Sequence, residues 1–139
     1  MRQIPPHLLF LGHAGDARDL PRLMQGGIAV LIDLAVNEPP VTPPRELAYC
    51  RFPLIDGAGN SRGMIRAAID CAASLIRSRT PTLIICGAGM SRTPAIAAAS
   101  LATVLGRSAQ EVLTELCSSG PADVSAALWA EVTAALPRP

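Results

Sequence analysis

Apolar residues along this chain follow two spacings. Residues 8–12, 28–34 and 82–86 are short aliphatic runs, which predict buried strands. Residues 47–53 alternate weakly and predict a fourth strand. Between these runs the apolar positions recur at three and four, the spacing of a helix with one buried face. Residues 16–24 carry Leu20, Leu23 and Met24 on one face, and Gly26 and Gly27 stop that helix. Ser61 caps a helix over 62–78 that buries Ile65, Ile69, Ala72, Ala73 and Ile76. Residues 93–105 are apolar nearly all round and predict a helix through the core, with Pro94 in its first turn and Gly106 at its end. Ser108 and Glu111 have capping-box spacing and open a helix to about Cys117. After the Gly120-Pro121 break, Asp123 or Ser125 caps a last helix to about Leu136, with Trp129 packing inward. The proline-rich residues 39–44 predict an extended loop, and residues 56–60 a mobile turn.

Strands alternating with helices predict an α/β fold of three layers, with a mostly parallel central sheet flanked by helices. The 139 residues fit one domain, spanning 1–139, with a core of its own. That core must be aliphatic, because half the residues are hydrophobic and only four are aromatic. A net charge of +1 without a basic block argues against a nucleic-acid partner. No run approaches the ~20 apolar residues of a membrane span, and none has the form of a signal peptide. A cytoplasmic monomer is the expectation. Cys50, Cys71, Cys86 and Cys117 are spread singly, far from His7 and His13, which argues against a metal site or a disulfide framework. No cofactor is implied.

One segment carries the chemistry. Cys86, Gly87, Ala88, Gly89, Met90, Ser91, Arg92 and Thr93 join an aliphatic strand to an apolar helix. Such a junction aims backbone N–H groups at one point, and the helix N-terminus adds partial positive charge. Small residues let the backbone curl around a tetrahedral anion, which Gly87, Ala88, Gly89, Met90 and Ser91 would line. Arg92 can hold two of the anion's oxygens with its planar fork. Cys86 would sit beneath the anion, where the same donors favour the anionic, attacking sulfur. The Thr93 hydroxyl can donate to that sulfur. An arginine at a helix N-terminus opposes the dipole, so a bound anion explains Arg92 better than an ion pair.

This segment resembles the signature of the protein tyrosine phosphatase superfamily, His-Cys-x5-Arg-Ser/Thr, and in particular that of the small dual-specificity phosphatases. The resemblance covers nearly the whole chain. Leu9-Phe10-Leu11-Gly12 with Asp16-Ala17 is similar to the family's first strand and helix, and residues 27–34 to its next strand. Phe52-Pro53-Leu54-Ile55-Asp56 is similar to the segment that delivers the general acid. The resemblance implies that Cys86 attacks phosphorus, that Asp56 protonates the leaving oxygen and then activates water, and that Arg92 steadies the equatorial oxygens. It implies a phosphorylated protein as substrate, a pocket shallow enough for phosphoserine and phosphothreonine as well as phosphotyrosine, and no metal. In some relatives a second cysteine protects the nucleophile as a disulfide, which would draw on Cys50, Cys71 or Cys117.

One position departs from the signature. Ile85 stands where the family has histidine. That predicts reduced activity near neutral pH. It also keeps open a phosphate-binding module without turnover, and, less well matched, a rhodanese-like sulfurtransferase. Asp33 and Asp70 read as structural, His7 and His13 as surface or loop residues, and Arg62 as a solvated side chain close to Asp56.

Overall fold

The computed structural model describes residues 1–137. Its centre is β5 (Thr82–Cys86), buried along its whole length. Parallel neighbours flank it, β2 (Leu9–His13) on one side and β3 (Val30–Ala35) on the other. The outer strands are β4 (Ala48–Leu54), parallel to β3, and the two-residue β1 (Arg2–Gln3), antiparallel to β2. The order β1-β2-β5-β3-β4 makes the sheet mostly parallel, as expected. The α/β class is likewise that expected.

Parallel strands joined by helices are covered on both faces, which explains why β3 and β5 read as unbroken apolar runs. On one face pack α3 (Arg62–Arg77), α4 (Arg92–Leu105), α5 (Ala109–Ser119) and α6 (Ala126–Ala135). On the other lie the short α1 (Ala14–Arg18) and α2 (Leu20–Gln25). Helix α4 is buried from Arg92 to Ala102, as its all-round apolar pattern predicts. Its alanines Ala95, Ala97, Ala98 and Ala99 leave room for neighbouring helices to close in.

Several expectations need correction. Residues 16–24 form not one helix but parts of two. Asp19 leaves helical geometry at φ −92° and ψ 69°, and its carboxylate accepts from the Arg22 N–H to start α2, with Pro21 in the first turn. Helix α1 starts earlier, at Ala14, because His13 and Asp16 cap it reciprocally. His13 Nδ1 accepts from the Gly15 N–H at 3.0 Å and Asp16 accepts from the His13 N–H at 3.0 Å. Strand β1 was not foreseen, since two residues carry no periodicity. At α5 only half of the capping box forms. Ser108 accepts from the Glu111 N–H, while the Glu111 carboxylate lies 3.9 Å from Arg107. Of the two candidate caps for α6, Ser125 is the one used. Trp129 is half-buried against the core and donates its indole N–H to Gln110.

Ile96 of α4 is fully buried at the centre of the larger core. Ile96→Ala should lower the unfolding free energy by about 2–5 kcal/mol in denaturant titration. A loss below about 1 kcal/mol would show that this helix is not central to the core.

Candidate active site

Side chains alternate along β5, so Ile84 and Cys86 face the four-helix side while Leu83 and Ile85 face the opposite core. Cys86, the last residue of the strand, is buried, and residues 87–91 carry the chain from it into α4. Two other segments support this loop. On one side the Ala14 N–H donates to the Gly87 carbonyl at 3.4 Å. Gly89 adopts φ +74°, and a Cβ there would lie 2.8 Å from the Gly12 carbonyl oxygen, so only glycine fits. On the other side the Asp123 N–H donates to the Met90 carbonyl at 2.7 Å and the Ser125 N–H to Ser91 Oγ at 2.9 Å. With its hydroxyl engaged by Ser125, Ser91 does not cap α4. The first-turn N–H groups of α4 therefore lack a side-chain acceptor from their own cap residue, which suits them to an anion.

Arg92 is buried, and its Nη1 donates to the Leu54 carbonyl at 2.9 Å. Its Nη2 lies so near Gly87 that a Cβ there would approach it to 3.1 Å. No carboxylate pairs with Arg92 among the described residues, so its charge has no protein counter-ion. Leu54 ends β4, and the turn that follows holds Asp56, exposed to solvent. Asn60 closes that turn. Its Oδ1 accepts from the Ile55 N–H at 2.7 Å, and its Nδ2 donates to the carbonyls of Ile55 and Gly57.

Asp56, Cys86, Ala88, Met90, Ser91, Arg92 and Asp123 line one cleft of about 200 Å³. The nucleophile, acid and arginine expected from the sequence thus come together across long separations. Thr93 differs from expectation. It is fully buried, and its hydroxyl donates to the Gly12 carbonyl at 3.4 Å instead of to sulfur, because it lies between α4 and β2. Two residues near the cleft were missed. Asp123 arrives on the segment before α6, and the Asn37 side chain lies beside Gly87, its Nδ2 3.5 Å from the position of a Cβ. Asp123 was marked only as a candidate cap, and Asn37 by no local pattern.

Ile85 faces away from this cleft into the second core. With its register partner Asp33 it borders a separate cavity of about 260 Å³. Asp33 is structural, as expected. It is buried, and accepts from the Ala35 N–H at 2.9 Å and the Tyr49 hydroxyl at 2.5 Å. Burial and that bond to Asp33 raise the Tyr49 hydroxyl above its ordinary value. Asp70 pairs on the surface with Arg66 at 2.8 Å, and Arg62 is exposed at the start of α3. All four cysteines are free. The Cys50 thiol meets that of Cys71, and burial, then the neighbouring Cys50 charge and hydrogen bond, push Cys71 up to about 11. Among the described residues no group of three His, Cys, Asp or Glu side chains is placed to hold a metal ion. Nor is any described helix long and apolar enough to cross a membrane.

No family model matches the chain. No curated protein matches it in sequence. Solved structures do match in fold. Human DUSP28 superposes with a TM-score of 0.80 at 22% identity, over 92% of this chain and 90% of that one. DUSP15 does so with a TM-score of 0.74 at 23% identity, over 95% and 84%. A human tyrosine phosphatase-like serine/threonine/tyrosine-interacting protein does so with a TM-score of 0.75 at 18% identity, over 91% and 89%. The fold is that of the dual-specificity and tyrosine phosphatases.

Gly89→Ala should lower stability by about 1–3 kcal/mol through backbone strain, and should weaken tungstate binding measured by calorimetry. Unchanged tungstate affinity would contradict the loop geometry. Alkylation of Cys71 by iodoacetamide, followed by peptide mass spectrometry, should rise steeply only as pH approaches about 11. Rapid alkylation at neutral pH would contradict the burial of this thiol against Cys50.

Proposed function

We propose that this protein is a cysteine-dependent phosphatase that hydrolyses phosphomonoesters in proteins, on phosphotyrosine and on phosphoserine or phosphothreonine. One observation carries the reading. Cys86, Arg92 and Asp56 surround a single small cleft where α4 begins without a side-chain cap. In the first step Cys86 Sγ attacks phosphorus while the bond to the ester oxygen breaks. Asp56 gives that oxygen its proton, and the alcohol or phenol leaves. In the second step Asp56 takes a proton from water as the water oxygen attacks the cysteinyl-phosphate. Phosphate leaves and the thiolate is restored. Arg92 and the loop amides hold the equatorial oxygens in both steps, where their fixed donors need no reorganisation. The buried Thr93 hydroxyl, which here donates to the Gly12 carbonyl, steadies the sulfur as it leaves in the second step.

We take the protein to act as a monomeric, single catalytic domain in the cytoplasm, without a metal. Gly87, Ala88 and Met90 are uncharged, which favours phosphoproteins over polyanionic phosphoinositides. A second reading, a phosphate-binding module without turnover, is favoured by Ile85. In the place of an imidazole beside the nucleophile this side chain packs into the second core.

Hydrolysis of p-nitrophenyl phosphate across pH separates the two. Cys86→Ser and Arg92→Ala should abolish turnover. Asp56→Asn should lower it by about 10²–10⁴-fold, the range of general acid catalysis. A folded wild type that binds tungstate but releases no nitrophenol would establish the binding module instead. Ile85→His would stand beside Asp33 and should raise turnover near neutral pH. No rise would mean that the missing imidazole does not limit the rate.

A further inference from the structure

The turn that carries Asp56 is exposed, contains two glycines among residues 56–60, and has little side-chain mass with which to pack. A general acid there would wander unless the turn were held from outside. Glu131, half-buried in the middle of α6, reaches across to it. Glu131 Oε2 accepts from the Gly59 N–H at 3.0 Å. Its Oε1 accepts from the Asn60 N–H at 3.1 Å and from Asn60 Nδ2 at 3.0 Å. The bonds span 71 and 72 residues of sequence, so they tie the turn to a helix that is otherwise remote from it. Asn60 then passes the restraint to the carbonyls of Ile55 and Gly57, on either side of Asp56.

We propose that Glu131 is a positioning residue for the general acid, holding the Asp56 turn against α6 through Gly59 and Asn60. The role rests on the phosphatase reading above. It costs the fold little, because a carboxylate accepting several N–H donors is well satisfied where it stands. The Gly59 N–H first, then the Asn60 side chain and N–H, hold its carboxyl below the ordinary glutamate value. The group is therefore ionised through the neutral range. Helix α6 is itself fixed by packing against α3 and α4, and its preceding segment supports the phosphate loop at Met90 and Ser91. One helix thus aligns both halves of the cleft.

A general acid matters most when the leaving oxygen is a poor leaving group. Turnover of phenyl phosphate should therefore depend on Glu131 far more than turnover of p-nitrophenyl phosphate. Glu131→Ala should lower kcat on phenyl phosphate by about tenfold or more, a fraction of a full general-acid effect, and on p-nitrophenyl phosphate by less than about threefold. Glu131→Gln keeps one acceptor oxygen for Asn60 and should recover part of the loss. In an Asp56→Asn background Glu131→Ala should change neither rate further. Thermal melting and tungstate binding of each variant report separately on folding and on the phosphate loop. Equal losses on both esters, or a Glu131 effect that persists without Asp56, would overturn the positioning role while leaving the phosphatase reading intact. A folded wild type that hydrolyses neither ester would overturn that reading, and this role with it.

Discussion

The hydrogen bond from Arg92 Nη1 to the Leu54 carbonyl joins the two halves of the cleft. A guanidinium is costly to bury without a counter-ion, and here its protein partner is a neutral carbonyl. The bond fixes the fork where the loop after β5 climbs into α4, and it fixes β4 two residues before Asp56. An uncompensated buried cation is a standing attraction for an anion, and α4 begins beside it without a side-chain cap. The central position of β5 serves this arrangement. A strand buried on both faces sets Cys86 at a depth that the loop can only surround, and β2 and the segment before α6 hold that loop from either side.

What could be read directly from the chain was what is local. Strand, loop and helix from residue 82 to 105 are contiguous, and their spacing is what suggests an anion site with Cys86 at its floor. A role for Asp56 was suggested only through resemblance, because an aspartate before a glycine is most often a turn residue. The supports were invisible. The bonds from Asp123 to Met90, from Ser125 to Ser91 and from Glu131 to Asn60 join residues distant in sequence and leave no periodic trace. Asn37 lies in a loop with no pattern at all. The division of residues 16–24 into two helices turns on the backbone angles of Asp19, which apolar spacing does not report. The partner that Thr93 takes here was also hidden, for a related reason. Its position in the motif points toward sulfur, but burial under the loop commits its hydroxyl to the Gly12 carbonyl.

Ile85 shows how strand alternation limits substitution. Residue 85 faces the second core whatever its identity, so any influence it has on Cys86 passes through the strand backbone and the loop. An isoleucine gains aliphatic packing there among Leu31, Leu83 and Ala17.

The central claim is that Cys86 carries the phosphoryl group between the two steps. Rapid acid quenching of wild type and Asp56→Asn during turnover of p-nitrophenyl phosphate, followed by peptide mass spectrometry, tests it directly. Phosphate covalently attached to the peptide containing Cys86, and absent from Cys86→Ser, is the predicted result. Phosphate released with no adduct on Cys86, or an adduct on another residue, would contradict the account.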